Sequence, residues 1–407
     1  MTRTIKLAVV AALALGATSA FATNGDHLIG LGAKSRAMGG ISIGMSHGAE
    51  SGIPNPALLA GIKGTEISFG GTLFMPNVKY NANLTSPQTD PGTQDSAADL
   101  NVIPEVSVAN KVGDHFYWGV GIWGTAGMGT DYRSEDASAS MEMVTALQLM
   151  QLGVPVAYEM NGFSIGFTPI LQYGALDINY KNPIDDSTVG AGSAQDLKFT
   201  YNVGLAYNAG ALTVGAAYRA EIPMKYKGQI SNAVGPFAAV GVPPMGDELT
   251  QPAEIAVGFS FKLTRENTIA FDYKQVKWGD AKGYKEFNWK NTDVYAVGYE
   301  FATDAFALRA GYNHGAQPIE EKTGGTAADA AINIFNLLGF PGVVEDHITA
   351  GGSVALTDQL AVDLAVTYAL ETKVSFDTSG LSPTMSGATN EVTHSQSGVT
   401  FQLTYNF

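Results

Sequence analysis

The C-terminal segment, residues 399–407, alternates strictly between apolar and polar side chains. The apolar positions are Val399, Phe401, Leu403, Tyr405 and Phe407, and the polar ones are Thr400, Gln402, Thr404 and Asn406. Because successive side chains of a β-strand point to opposite faces, a period of two predicts a strand with one apolar and one polar face. The same alternation returns upstream at 360–368, 306–312, 295–301 and 255–261. A chain built from many such strands must place each apolar face against a protein core or lipid.

Runs of this kind predict fourteen strands. The expected strands cover residues 65–80, 102–112, 115–126, 142–160, 163–180, 198–208, 211–226, 252–263, 267–277, 291–302, 305–314, 346–356, 360–371 and 396–407. The connections between them are alternately short and long. An even strand number with this alternation is typical of a bacterial membrane barrel, and closure leaves no unpaired edge. A soluble β-sandwich is the alternative, which the polar second face of the strands disfavours. We therefore predict an all-β fold, a transmembrane antiparallel β-barrel.

The N-terminus has the features of a secretory signal peptide. Arg3 and Lys6 precede an apolar run at 7–16, and Ala20-Phe21-Ala22 forms an A-x-A cleavage site. The apolar run is too short to span a membrane, so we expect residues 1–22 to be a signal peptide that is cleaved during export. The expected organisation is then a hatch, or plug, at residues 23–62 and a barrel at residues 63–407.

Composition restricts the partners of the chain. The net charge of −15 becomes −17 without Arg3 and Lys6, and so acidic a protein is expected to bind no nucleic acid. Cysteine is absent, so burial and backbone pairing alone stabilise the fold. Hydrophobic residues make up 45% of the chain. No segment after the signal peptide has the run of about 18 apolar residues that a spanning helix needs. A high hydrophobic content without a long apolar run is typical of a membrane barrel.

A segment rich in glycine and alanine precedes the first predicted strand. Within it Pro54 and Pro56 flank Asn55, and Ala57 follows. Each proline fixes its own φ and moves the preceding residue away from the helical region, so Asn55 is expected to be a rigid, extended or turning point. A compact segment ahead of a barrel is most simply a plug inside it, and these four residues are the expected gate. In the alternative interpretation Asn55 only shapes a turn.

Two predicted long connections, 227–251 and 315–345, are unexpectedly apolar. Their candidate ligand-groove residues are Val234, Phe237, Val240, Ile332, Phe335 and Leu338. Thr326 followed by Asp329 is a capping pattern, and Gly339 is a stop signal, so a helix is expected between them. Exposed apolar patches are costly unless they meet lipid or a hydrophobic ligand. Alternatively the two connections pack on each other, which is compatible with a groove between them.

Several stretches resemble the FadL family of outer-membrane transporters for hydrophobic compounds. Residues 32–40, GAKSRAMGG, look like the family's G-x-x-x-R-A-x-G opening, and Asn55-Pro56-Ala57 is similar to its hatch motif. Further matches lie at 119–123, 129–132 and 214–219, and the resemblance covers essentially all of the chain after residue 22. It implies a fourteen-stranded barrel plugged by an N-terminal hatch, a ligand groove among the outer loops and an inner pocket near the hatch. The 181–197 connection is short for the family, which puts a large preformed groove in doubt.

The resemblance also implies a lateral exit through a kinked third strand. Carried over to this sequence, the kink falls near Trp123, Gly124, Gly127 and Gly129. The glycines fit this independently, because glycine weakens a strand and marks bulges or bends. The alternative is an ordinary strand end that continues into a loop.

The sequence contains no recognisable catalytic or metal-binding motif. None of its six histidines has the spacing of a metal site, and no G-x-S-x-G elbow is present. We expect neither an enzyme nor a cofactor or metal. Arg219 and Arg309 are candidate lumen cations that either receive a ligand carboxylate or pair with lumen acids, and the second interpretation is favoured.

The function predicted from these features is passive outer-membrane transport of hydrophobic compounds, either long-chain fatty acids or hydrocarbons. The solute would leave laterally through the barrel wall. A polar-solute diffusion porin and a surface adhesin or structural barrel are the alternatives. Expected partners are the hydrophobic ligand, outer-membrane lipid and lipopolysaccharide and, through the C-terminal strand, the machinery that assembles outer-membrane barrels. The chain is expected to act as a monomer.

Overall fold

The computed structural model describes residues 23–83, 92–133, 140–183, 185–381 and 387–407. The predicted signal peptide and parts of several connections lie outside these ranges. Fourteen antiparallel strands close into a barrel. They are β1 (Thr65–Asn83), β2 (Asn101–Val112), β3 (Phe116–Asp131), β4 (Val144–Gly153 and Val156–Met160), β5 (Phe163–Lys181), β6 (Ala194–Ala209), β7 (Leu212–Arg219), β8 (Glu254–Lys262), β9 (Asn267–Val276), β10 (Thr292–Ala302), β11 (Phe306–Gly315), β12 (Asp346–Ala355), β13 (Leu360–Asp377) and β14 (Thr389–Asn406). The last strand pairs with the first, from Thr389 opposite Asn83 to Asn406 opposite Glu66.

The alternation in the sequence corresponds to the two faces of the barrel wall. On β13 the apolar positions are about half exposed and point outward, whereas the positions between them are buried in the interior. The outward positions are Leu364, Val366 and Tyr368, and the inward ones are Ala365, Thr367 and Ala369. Because the outward face is apolar along most strands, it suits lipid, and the inward face carries polar groups.

The fourteen-strand prediction is confirmed, with local corrections to strand bounds. The strand predicted at 142–160 is interrupted at Pro155, which lacks a backbone donor. The strand predicted at 211–226 leaves the barrel after Arg219, and Ile222–Lys225 instead pairs with Glu248–Gln251 as a separate hairpin. Much of the predicted loop 372–395 is strand, because β13 and β14 extend outward to Asp377 and Thr389.

Residues 23–62 lie inside the ring of strands and are almost entirely buried. They contain one short helix, Gly32–Ala37, and two 3-10 turns, Ala49–Gly52 and Pro56–Gly61. The first residues form a small ladder, Thr23–Asn24 with His27–Leu28. We call this segment the hatch. Its irregular backbone needs partners from the barrel wall, since a buried polar backbone group must be hydrogen-bonded.

The predicted helix in the 315–345 connection is present as Ala327–Gly339. Thr326 and Asp329 form the expected capping box, and the helix ends where Phe340 precedes Pro341. The 227–251 connection contains a short helix, Ile230–Val234, followed by the turn Gly235–Val240. Among the described residues, none of the helices combines the length and apolar character that crossing a membrane requires.

Candidate functional site

Asn55 is fully buried where the hatch meets the barrel wall. Its backbone is extended, as the flanking prolines predict, and its side chain makes three hydrogen bonds. Nδ2 donates to the carbonyl oxygens of Ile43, 2.9 Å away, and of Leu205 on β6, 3.2 Å away. Oδ1 accepts from the backbone N–H of Ala57 at 3.2 Å. Asn55 therefore shapes a turn of the hatch and also ties that turn to the wall, so the two interpretations of its role are compatible.

The barrel wall has glycines where the Asn55 turn packs against it, so no side chain fills that space. A Cβ atom at Gly204 of β6 would lie 2.0 Å from the Asn55 Oδ1, and one at Gly166 of β5 would lie 2.4 Å from the Ala57 nitrogen. These two glycines are direct cross-strand partners. Any side chain at either position would displace the turn, so close approach of two backbones requires glycine here. Pro54 lines a cavity of mixed polar and apolar character, together with Arg219 and Glu254.

A stronger hatch anchor is Asp272 of β9, which the sequence analysis did not identify. Its carboxylate is fully buried and accepts backbone N–H groups from three consecutive hatch residues. The distances are 2.6 Å from Ser42, 2.8 Å from Ile43 and 3.2 Å from Gly44. Hydrogen bonds to a charged group are roughly twice as strong as neutral ones. Asp272 occupies an inward position in an alternating strand, and a lone acidic residue there was the available sequence signal.

Strand β3 keeps only one of its two ladder partners in its outer half. It pairs with β2 from Phe116 only as far as Trp123, opposite Glu105. On its other edge it pairs with β4 up to Asp131, with a register shift between Gly124 and Ala126. Residues 123–130 are all buried, so the inside–outside alternation is lost. The strand therefore has a register shift and loses its alternation within Trp123–Gly129, where the kink was expected, and the extra residue at the shift is Thr125.

The bend leaves a gap in hydrogen bonding between β2 and β3. Residues 101–104 of β2 still pair with β1, but their other edge faces residues 124–127 of β3 without a ladder. We call this the wall gap. The hatch lies against its inner side, since His27 pairs with Ala126 and the Gly127 nitrogen donates to the Asp26 carbonyl at 3.0 Å. Pro104 sits at its edge, and proline inside a strand marks an edge without ladder bonds, a sequence signal that was not used.

An apolar cavity of about 20 Å³ lies beneath the outer loops. We call it the outer cavity. Its lining consists of Met128, Leu176, Ile178, Ile230, Leu249, Tyr284, Phe287, Trp289, Phe335, Asn336 and Phe340. The rings of Phe287 and Phe335 stack with centroids 5.0 Å apart, and those of Tyr284 and Trp289 meet edge-on at 4.9 Å. Met128 comes from the bent part of β3, so the outer cavity and the wall gap share one strand segment.

The six candidate groove residues belong to one apolar cluster but lie at different positions relative to the outer cavity. Phe335 alone of the six lines the outer cavity. Val234, Ile332 and Leu338 are buried in the surrounding cluster. Phe237 and Val240 are partly buried, and Phe237 stacks on Tyr180 at 5.9 Å. The two apolar connections therefore do pack together, and together they cover a cavity.

The carboxylate of Asp247 fixes the shorter of these connections outside the wall. It accepts backbone N–H groups from Gly228 at 2.8 Å and Ser231 at 2.9 Å, at the start of the helix Ile230–Val234. Partial burial raises the pKa of Asp247, but these two N–H donors outweigh it and leave the pKa below its usual value. The carboxylate therefore stabilises this loop at neutral pH, and its contribution is lost as the pH falls through the lowered pKa.

A series of buried, hydrogen-bonded polar side chains, which we call the polar chain, runs from the outer cavity past the hatch to β8. The Tyr284 hydroxyl, at the cavity lining, donates to the Asp26 carboxylate of the hatch, and Gln251 bonds to both. His27 lies 3.0 Å from Gln251 and 2.6 Å from Glu254 of β8. Tyr284 thus joins the cavity lining to the same hatch residues that border the wall gap.

Both candidate lumen cations are paired with acids. Arg219 of β7 contacts Glu254 at 2.8 Å, and Arg309 of β11 contacts Glu300 at 2.7 Å. Arg309 also donates to Ser353. This agrees with the favoured interpretation of internal charge pairing. Within the described ranges, no group of three or more His, Cys, Asp or Glu residues is placed to hold a metal ion.

Taken together, the closed barrel, the hatch in its lumen and the bent third strand define a plugged outer-membrane barrel. The family model for outer membrane protein transport proteins (OMPP1/FadL/TodX) matches residues 7–407. The chain therefore belongs to this family and is a multi-pass β-barrel of the outer membrane.

The individual relatives have low sequence identity to this chain. The chain is 26% identical over 204 residues to a long-chain fatty acid transport protein of Salmonella typhi, covering 44% of this chain and 46% of that protein, slightly under half its length. It is 24% identical over 372 residues to a 47 kDa outer membrane protein of Pasteurella multocida, covering 83% of this chain and 84% of that one.

Solved structures share the fold across nearly the whole chain. A FadL homologue of Pseudomonas aeruginosa has a TM-score of 0.71 at 15% identity, covering 94% of this chain and 100% of that one. The toluene transporter TodX of Pseudomonas putida has a TM-score of 0.68 at 17% identity, covering 95% and 100%. At these identities the likeness concerns the fold alone.

Proposed function

We propose that this protein transports hydrophobic compounds passively across the outer membrane, with lateral release through the wall gap. The relatives named for fatty acid and toluene transport support the general class. The observation that carries the route is the shared segment of β3. Met128 lines the outer cavity, and Gly124–Gly127 of the same strand border the wall gap. A solute that leaves the cavity along this strand reaches lipid without crossing water.

The hatch has a complementary role in this proposal. It fills the lumen below the cavity and is tied to the wall by Asn55 and Asp272. An apolar solute gains nothing from an aqueous path to the periplasm, whereas lipid takes it up directly. Residues Pro54–Ala57 would hold the plug in place. A shift between two populated hatch positions would open the path from the outer cavity to the wall gap.

The test is to straighten β3 without disturbing the rest of the wall. Deleting Thr125 removes the extra residue, so that Gly124 opposite Met150 is followed directly by Ala126 opposite Leu149. The matched control Thr125→Ala keeps the bulge and removes only the hydroxyl and methyl groups of the side chain. We expect the deletion to abolish uptake of a hydrophobic solute by intact cells, while the control retains it.

Barrel assembly is monitored in the same strains by heat-modifiable migration on gels. Wild-type uptake by a correctly folded deletion variant would exclude the wall gap as the exit. The polar-solute porin is tested alongside, by conductance in planar bilayers. A large steady ion conductance in the wild type would favour that alternative, because a barrel filled by its hatch conducts poorly.

A further inference from the structure

Among the described residues that line the outer cavity, the Tyr284 phenol is the only ionisable group, and the polar atoms of this lining are already hydrogen-bonded. Asn336 Nδ2 donates to the Phe287 carbonyl at 2.7 Å, and its Oδ1 accepts from Trp289 Nε1 at 3.3 Å. The Tyr284 hydroxyl is bonded to Asp26 and Gln251. A ligand in this cavity therefore meets rings and aliphatic groups, and no free donor.

Behind the Tyr284 hydroxyl of the lining stands a carboxylate. Asp26 lies directly behind Tyr284. The nearest cations along the polar chain, Arg219 and the partly buried Lys274, lie beyond Gln251 and His27 in a separate cavity that Glu254 also lines, and Arg219 is paired with Glu254. An anionic head group at the cavity floor would thus face an acid before any base.

Cations in the outer connections do not fill this role. Lys282 lies near Leu249 of the lining and pairs with Glu248 at 3.3 Å. Lys290 follows Trp289 and lies 3.7 Å from Glu320. Lys285, close to Phe287 in sequence, is exposed to solvent. None of these three is a lining residue.

We propose that the outer cavity accepts uncharged hydrocarbons and rejects carboxylates, so that long-chain fatty acids are excluded by charge. The proposal rests on the transport function argued above and narrows its substrate class. An ionised carboxylate taken from water into an apolar site without a partner loses its hydration with nothing to replace it. A hydrocarbon gains from the same transfer.

The resting cavity of about 20 Å³ holds about one water molecule, so any ligand must displace lining side chains. The lining is mostly flexible aliphatic and aromatic groups, which can repack at moderate cost. Its few polar groups bond to one another, to the backbone or to the polar chain behind them, and stay satisfied if the aliphatic side moves. The site can therefore open for an apolar ligand without exposing a buried charge.

The experiment compares two ligands of matched shape, ethylbenzene and phenylacetate, at neutral pH. Binding to the full barrel in lipid nanodiscs is measured by equilibrium dialysis, and empty nanodiscs of the same lipid correct for partitioning. We expect ethylbenzene to bind at least about tenfold more tightly than phenylacetate. Palmitate, tested in the same way, is expected to bind no better than to empty nanodiscs.

A pair of variants at Ile230 tests whether the lack of a cation in the lining is what excludes carboxylates. Ile230 lines the cavity from a short loop helix, so a change there alters no residue of the barrel strands. Ile230→Lys supplies an ammonium group, and Ile230→Met supplies a side chain of similar length without charge. We expect the lysine variant alone to gain binding of phenylacetate, by about tenfold.

The outcomes separate this inference from the transport function. If wild type binds phenylacetate or palmitate as well as it binds ethylbenzene, charge exclusion is wrong while hydrophobic transport stands. If no hydrophobic ligand binds and cells show no uptake, the transport function itself fails. Equal phenylacetate binding by the lysine and methionine variants would also contradict the role given to the absent cation.

Discussion

The outer and inner halves of the barrel interior are held together in opposite ways. The outer half is an apolar cluster of loop and strand side chains around a small cavity, and the polar atoms that line this cavity are hydrogen-bonded. The inner half is filled by the hatch, whose backbone is bonded directly to wall side chains such as Asp272 and Asn202. Apolar packing is non-directional and tolerates rearrangement, whereas buried hydrogen bonds fix one geometry. The difference suits a chamber that rearranges more readily than the plug beneath it.

The largest expected effect comes from removing the main anchor of the inner half. Asp272→Ala leaves three buried backbone donors at Ser42, Ile43 and Gly44 without an acceptor. We expect local hatch stability to fall by about 3–9 kcal/mol, since each of the three unsatisfied donors costs about 1–3 kcal/mol. Hydrogen exchange measured by mass spectrometry should show fast exchange in hatch peptides and unchanged strands.

Asp293→Ala is the control for that experiment. Asp293 accepts from Tyr273 and Gln275 near the outer rim and does not contact the hatch. If hatch exchange in Asp272→Ala equals that of the control, the carboxylate is not what fixes the plug.

An intermediate effect is expected at the Asn55 turn. Asn55→Ala removes the amide bonds to Ile43 and Leu205 and should cost about 1–3 kcal/mol locally. Ser46→Ala is a matched control, because the Ser46 hydroxyl bonds to the Leu58 carbonyl within the hatch and does not reach the wall. Uptake and single-channel conductance are measured side by side. We expect altered uptake or new channel openings only in the Asn55 variant, and wild-type values for both would leave Asn55 as a turn former.

The smallest effect tests the outer half. Thr326→Ala removes the N-cap of the helix Ala327–Gly339, which carries Phe335 into the cavity. We expect a loss of about 1 kcal/mol in helix stability, read as faster exchange in its first turn. Thr357→Ala, in a short turn at the other end of the barrel, is the control. Because apolar packing tolerates local loosening, hydrocarbon binding should fall only slightly, and a complete loss would mean that the chamber is as rigid as the plug.

Local sequence patterns predicted the features that depend on neighbouring residues. Alternation gave the strands, the capping pattern at Thr326 gave the outer helix, and the prolines around Asn55 gave its extended backbone. Other features depend on residues far apart in the chain. Asp272 meets Ser42 across 230 positions, and nothing around either residue indicates the other. The Tyr284–Asp26 bond spans 258 positions and was missed for the same reason.

The sequence by itself determined the barrel, because a period of two and the connection lengths are local properties that dictate strand faces and order. The family resemblance, with which the glycines agree, led us to expect a bend in β3. Only the tertiary structure decided what the bend does, since the wall gap exists because β2 stops pairing with β3 at Glu105 while the hatch occupies the inner side. It likewise decided that the apolar loops enclose a cavity without a cation, because which side chains line a space depends on how distant segments pack.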